Sequence, residues 1–223
     1  MRNNKRIKII CGHYGSGKTN VCVNLAMLYR KRWPNAKIAL ADVDTVNPYF
    51  RAADAAKELQ SIGIHTILPE FANTNVDIPS LPPELYSLFN KDSETVSFID
   101  VGGDDGAAAL GMYSELIEEC GYEMIYVVSK YRPLISEPEA AADLMHIIEE
   151  ASHLKCTAVV NNSSIGTETT EKDVLASLDY AHKVSDLCEL PLLFTSYYEE
   201  LLGKLYMEGE RFFPMKNVTK QIF

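Results

Sequence analysis

The residues Gly12, His13, Tyr14, Gly15, Ser16, Gly17, Lys18 and Thr19 satisfy the pattern G-x-x-x-x-G-K-[ST] at every position. No other stretch limits the fold as much. A loop that turns its main-chain N–H groups inward around phosphate needs glycines, because side chains would block the approach. Lys18 is placed to neutralise β/γ-phosphate oxygens, and the Thr19 hydroxyl to help hold a Mg²⁺ that keeps most of its waters. The flanks agree. An apolar run, Ile7-Lys8-Ile9-Ile10-Cys11, ends where the glycines begin, and Val21, Leu25, Leu28 and Tyr29 recur at helical spacing up to Trp33-Pro34. Strand, glycine loop, helix is the order that brings a helix N-terminus to an anion. A plain turn between two core elements has no need of Lys18 beside Thr19.

Downstream, apolar runs alternate with helical patterns at the spacing of βαβ units. Strands are expected at 7–11, 37–41, 64–68, 95–99, 123–128, 156–160 and 190–194, and helices at 18–32, 50–61, 82–90, 106–120, 136–151, 171–188 and 198–207. The expected fold is α/β with three layers: a mostly parallel twisted sheet of about seven strands with helices on both faces. Its 223 residues, 47% hydrophobic, suit a single nucleotide-binding domain over 1–223.

Ligands on such sheets bind beyond the carboxyl ends of the strands. The second run ends in Asp42-Val43-Asp44, followed by Asn47-Pro48, and carboxylates at i and i+2 of a strand end point the same way. They could serve Mg²⁺ or an attacking water; the alternative is a solvated Asp turn. The fourth run ends in Asp100 and then Gly102-Gly103, an arrangement in which the acid reaches Mg²⁺ and a Gly102 N–H approaches the γ-phosphate. Asp104 and Asp105 read as the cap and first-turn acid of the next helix. The fifth run leads to Lys130 and Arg132, which read as surface charges within reach of a phosphate or a partner. The sixth ends in Asn161-Asn162; Asn161 suits an adenine edge, and a turn is the plainer role. Residues 195–198 would form the remaining wall of a base pocket.

A formal charge of −10 argues against DNA held through a generally basic surface. Five scattered cysteines without close pairing read as reduced thiols in a cytoplasmic protein and offer no zinc or Fe–S spacing. No run approaches the ~20 apolar residues of a membrane span. Histidines 65, 146, 153 and 182 show no ligand spacing, and the aromatic tail from Glu208 to Phe223 could pack on the domain or form a contact surface.

On these residues the chain resembles the MinD/ParA branch of P-loop ATPases, the SIMIBI or deviant Walker-A class, over nearly its whole length. The likeness rests on the loop with Asn20 and the helix after it, on Asp42 and Asp44 with Asn47-Pro48, on Phe98-Ile99-Asp100 before a glycine switch, and on the Asn161 strand end. It implies ATP and Mg²⁺ as ligands. Nucleotide contacts would come from Gly12, Tyr14, Gly15, Ser16, Gly17, Lys18, Thr19, Asn20, Gly102 and Asn161, and metal contacts from Thr19, Asp42 and Asp100. Lys18 and Asp44 would be catalytic, Asp44 positioning the water. The family loop carries a lysine where this chain has His13, and a glycine where it has Tyr14. That lysine crosses an ATP-sandwiched homodimer, so its loss weakens the expectation of such a dimer and of brisk hydrolysis. The expected function is an ATP-binding switch with slow or partner-stimulated hydrolysis, engaging a protein partner through loops at 44–50 and 101–106. Two others stay open: a biosynthetic enzyme phosphorylating a small carboxylate, as in dethiobiotin or cobyrinate amidation chemistry, and a scaffold that binds ATP without turnover.

Overall fold

A computed structural model describes residues 5–43, 52–68 and 83–218. Eight strands form one sheet, every pairing parallel: β1 (Ile7–Gly12), β2 (Ile38–Asp42), β3 (Ile64–Ile67), β4 (Val96–Asp100), β5 (Tyr122–Val128), β6 (Ala158–Asn161), β7 (Leu192–Tyr198) and β8 (Phe212–Met215). The spatial order is β3-β2-β4-β1-β5-β6-β7-β8. The chain runs outward from β1 to β3, returns to insert β4 beside β1, and then builds away on the other side from β5. That reversal opens a crevice beyond the carboxyl end of β1, where the glycine loop begins.

The strands alternate their side chains between two cores. Ile10, Leu40, Phe98, Val127 and Val160 pack against α1 (Lys18–Arg32) and α2 (Ala52–Ser61). Ile9, Ala41, Ile99, Tyr126 and Val159 face the opposite layer. There lie α3 (Pro83–Ser87), α4 (Gly103–Gly111), α5 (Ser114–Cys120), α6 (Pro138–Ser152), α7 (Glu171–Ala176) and α8 (Leu178–Leu187). Covering both faces explains why β1 and β2 read as continuous apolar runs rather than alternating ones.

Four differences from the sequence reading have local causes. The helix expected at 106–120 begins at Gly103 and breaks between α4 and α5. Asp104 and Asp105 fall in the first turn of α4. At its other end Gly111 lies so close to α6 that a Cβ there would sit 2.7 Å from the Ala151 carbonyl oxygen. The helix expected at 171–188 is two helices that meet at Ser177, whose buried hydroxyl donates to the Val174 carbonyl at 2.7 Å. The helix expected at 198–207 is absent: β7 runs on to Tyr198, and only a single 3-10 turn, Glu199–Leu201, follows.

The fourth is an eighth strand, β8, formed by residues read as a tail. Its Pro214 fits an edge strand, where a missing N–H breaks no interior ladder. Asn24 of α1 holds the chain just beyond it as a strand would, donating to the Lys216 carbonyl and accepting from the Lys216 N–H, both at 2.9 Å. Among the described residues no helix is long and apolar enough to cross a membrane.

Candidate phosphate-binding site

β1 ends at Gly12 with φ +143°, and a Cβ there would lie 2.4 Å from the Val127 carbonyl oxygen of β5. Only glycine lets the chain leave the sheet at this point. Gly15 at φ +76° and Gly17 at φ +83° are left-handed as well. Ser16 N–H donates to the His13 carbonyl at 3.1 Å, and Lys18 Nζ donates to the same oxygen at 3.1 Å, so Lys18 folds back over the turn. Gly17 is the cap of α1, with no side-chain hydrogen bond at that position. The first-turn N–H groups of α1 and its partial positive charge therefore face the loop.

Beside the loop, Thr19 Oγ1 donates to Asp100 Oδ2 at 2.6 Å. Asp42 and Asp100 are paired in register on neighbouring strands, and both are buried. Sequence parity dictates this: Asp42 continues the side of Leu40, Asp100 that of Phe98, and both strand faces pack on the α1 layer. Cys22, one turn into α1, reports the same crowding. Burial pushes its thiol pKa well up, and the Asp100 and Asp42 carboxylates push it further. Gly102 caps α4 directly after Asp100 and Val101. Asp44 and the Asn47-Pro48 pair lie outside the described residues.

The residues present fit a phosphate chain. Ser16 Oγ is buried with no hydrogen-bond partner among the described residues, inside a turn built of positive-φ glycines and backed by Lys18. They also fit Mg²⁺, a hard cation that takes oxygen donors such as the Thr19 hydroxyl and the neighbouring carboxylates.

Two expected nucleotide contacts have other employment. Asn161 is fully buried; its amide donates to Ser177 Oγ at 2.8 Å and Thr195 Oγ1 at 3.2 Å, and its carbonyl accepts from Ser163 N–H at 3.2 Å and Ser163 Oγ at 2.6 Å. Asn20 accepts from Val218 N–H at 3.1 Å and donates to Tyr198 Oη at 3.3 Å. It ties α1 to the segment after β8. Tyr14 is half exposed on the outside of the turn.

Two further residues touch the loop: Asn162, which the sequence did not single out, and Arg132, which it placed within reach of a phosphate. Asn162 Nδ2 donates to the Ser16 carbonyl at 2.7 Å while its Oδ1 accepts from Ser196 Oγ at 2.6 Å. A Cβ on Gly17 would sit 2.1 Å from that Nδ2, so the Asn162 contact needs glycine at position 17. Parity was the available signal: Asn162 follows Val160 onto the α1 face, and Asn161 follows Val159 onto the α8 face. Arg132, in the turn after β5, lies over Gly15, where a Cβ would meet its Cζ at 2.9 Å. Asn162, Ser163, Ser164, Thr169, Ser196, Tyr197, Tyr198 and Met215 line a tight recess too narrow to hold water in this structure.

The work given to Asn161 predicts a stability effect. Asn161→Ala strands the Ser163 N–H and several buried hydroxyls, so it should cost about 2 kcal/mol. For a chain of this size that is a melting temperature lowered by roughly 4–8 °C. Thermal unfolding followed by circular dichroism checks it, and an unchanged midpoint would contradict the internal role.

No protein-family model matches the chain, and no curated protein matches it. Among solved structures it is similar to FtsY from Mycoplasma mycoides, with a TM-score of 0.54 and 16% identity over 88% of this chain and 61% of that one. It is also similar to chloroplast FtsY from Physcomitrella patens, with a TM-score of 0.54 and 17% identity over 86% of this chain and 58% of that one. The chain thus spans about three-fifths of the length of these structures. At such identity the likeness concerns architecture alone: a parallel sheet between two helical layers, the P-loop NTPase type of α/β fold.

Proposed function

We propose that this chain binds Mg²⁺ and a nucleoside triphosphate, ATP in preference to GTP, and acts as a nucleotide-dependent switch with slow or partner-stimulated hydrolysis. The observation that carries the reading is the 2.6 Å hydrogen bond from the Thr19 hydroxyl to Asp100, which sets the loop's metal-binding hydroxyl against a strand-end acid. The main-chain N–H groups of residues 14–19 other than that of Ser16, which is held by the His13 carbonyl, cradle the phosphates, and Lys18 adds the charge. Mg²⁺ held by Thr19, with Asp42 and Asp100 beside it, neutralises the phosphate oxygens. Gly102 stands after Asp100, where its N–H can meet the terminal phosphate and the following turn can respond to its loss. Asp44 remains the candidate for orienting the attacking water.

The base would enter beside β6 and β7, where the recess is closed in this structure and has to widen to admit it. Its lining offers hydroxyls, an amide and aromatic edges but no carboxylate, the group best suited to accept the paired N–H donors of guanine. Asn161 serves there by holding Ser163 and Thr195 in place.

Equilibrium binding of ATP and GTP to the purified chain, with and without Mg²⁺, tests the reading, together with phosphate release. ATP should bind more tightly than GTP, and Mg²⁺ should strengthen it. In Asp100→Asn the gain from Mg²⁺ should shrink about tenfold, because a charge-assisted contact becomes a neutral one. A protein that binds no nucleoside triphosphate under any of these conditions would sink the proposal.

A further inference from the structure

The Arg132 guanidinium is held against the glycine loop at Gly15, with Cζ, Nε and Nη1 at 2.9, 3.1 and 3.2 Å from where a Gly15 Cβ would stand. Its Nε is buried and makes no hydrogen bond among the described residues, and the side chain joins no ion pair there. The placement is built by the backbone. Arg132 N–H donates to the Ser129 carbonyl at 3.2 Å, Ile135 N–H donates to the Arg132 carbonyl at 3.0 Å, and Pro133 opens the short 3-10 helix Pro133–Ile135. Its neighbours are turned elsewhere: Lys130 Nζ donates to the Ala176 carbonyl and Tyr131 Oη to the Asp173 carbonyl. Arg132 alone of the three faces the loop.

A guanidinium set beside inward-facing main-chain N–H groups is repelled by their partial charge unless an anion lies between. Its planar fork matches two phosphate oxygens at once. A triphosphate also carries more negative charge than Lys18 and one divalent cation neutralise, whereas a diphosphate comes close to balance with those two. His13, on the same loop, turns Nδ1 to the Tyr14 carbonyl at 2.6 Å.

We infer that Arg132 is a cation supplied from within the same chain to the β/γ end of a bound nucleoside triphosphate, and that it makes the site discriminate triphosphate from diphosphate. This rests on the nucleotide-binding reading above. It assigns to the turn after β5 the sensing of the terminal phosphate.

The test is equilibrium binding of a non-hydrolysable ATP analogue and of ADP, each with Mg²⁺, to the wild type, Arg132→Ala, Arg132→Lys and Lys18→Ala. Arg132→Ala should weaken the analogue by roughly ten- to a hundredfold, the loss expected for hydrogen bonds to a charged group. ADP should weaken by less than about threefold, well under one charged hydrogen bond. Arg132→Lys, which keeps the charge and the long stem, should recover part of the analogue's affinity and serves if the alanine variant does not fold. If Arg132→Ala and Arg132→Lys leave the analogue-to-ADP affinity ratio as in the wild type, whether both ligands hold or both weaken together, the inference is overturned while nucleotide binding stands. If the wild type binds neither ligand, both readings fall.

Discussion

Lys18→Ala should abolish tight nucleotide binding, lowering affinity for a triphosphate by more than about a hundredfold. Lys18 is buried at the first position of α1, and its Nζ is drawn back across the turn to the His13 carbonyl at 3.1 Å. A phosphate entering the cradle would meet that ammonium together with the inward-facing N–H groups and the helix terminus. The charge is thus partly desolvated and already positioned, which makes its electrostatic contribution far larger than that of an exposed lysine. Removing it leaves the glycine turn standing, since the Ser16 to His13 and Asn162 to Ser16 hydrogen bonds do not involve its side chain. The variant should therefore keep its melting temperature within a few degrees, about the effect of 1 kcal/mol. Calorimetric titration beside a thermal melt reads both quantities. Undiminished binding by a folded Lys18→Ala protein would remove the phosphate from this loop altogether.

Gly12→Ala should damage the fold itself. The substituted Cβ would lie 2.4 Å from the Val127 carbonyl oxygen, a main-chain atom inside the sheet that no rotamer change can move. β1 and β5 would have to separate at the centre of the molecule, where Gly12 and Val127 are paired in register. A residue with a side chain also resists φ +143°. Strain and overpacking together should cost about 4 kcal/mol or more. Thermal unfolding should then begin roughly 8–16 °C earlier. Scanning calorimetry on the variant is the measurement. A midpoint within 2 °C of the wild type, about half a kcal/mol, would mean the backbone leaves β1 by a different path.

These two glycine-loop residues also separate what a linear chain can reveal from what it cannot. The motif, the first seven strands and helix α1 were legible because each follows from local rules: glycines at fixed spacing, apolar runs bounded by turns, and a helix stopped by Trp33-Pro34. The helix expected at 198–207 does not form: β7 takes its first residue, Tyr198, and the chain then makes a single 3-10 turn, Glu199–Leu201. β8 was hidden from such rules. A four-residue edge strand containing proline has no period of its own; it exists because β7 supplies its partners and the amides of Asn20 and Asn24 fasten the residues just after it.

The site divides along the same line. Alone, the sequence determined the glycine turn between β1 and α1, Lys18 and Thr19 at the start of that helix, and the acids at the ends of β2 and β4, since these depend on residue type, spacing and the two-residue alternation of a strand. Tertiary structure decided which of two adjacent asparagines reaches the loop and that an arginine more than a hundred positions away covers it. It also decided that the chain's last described residues are fastened to the helix that follows the glycine turn. Those choices depend on which sheet face α1 covers and on the order in which parallel strands stack, and burial of apolar surface over the whole domain fixes both.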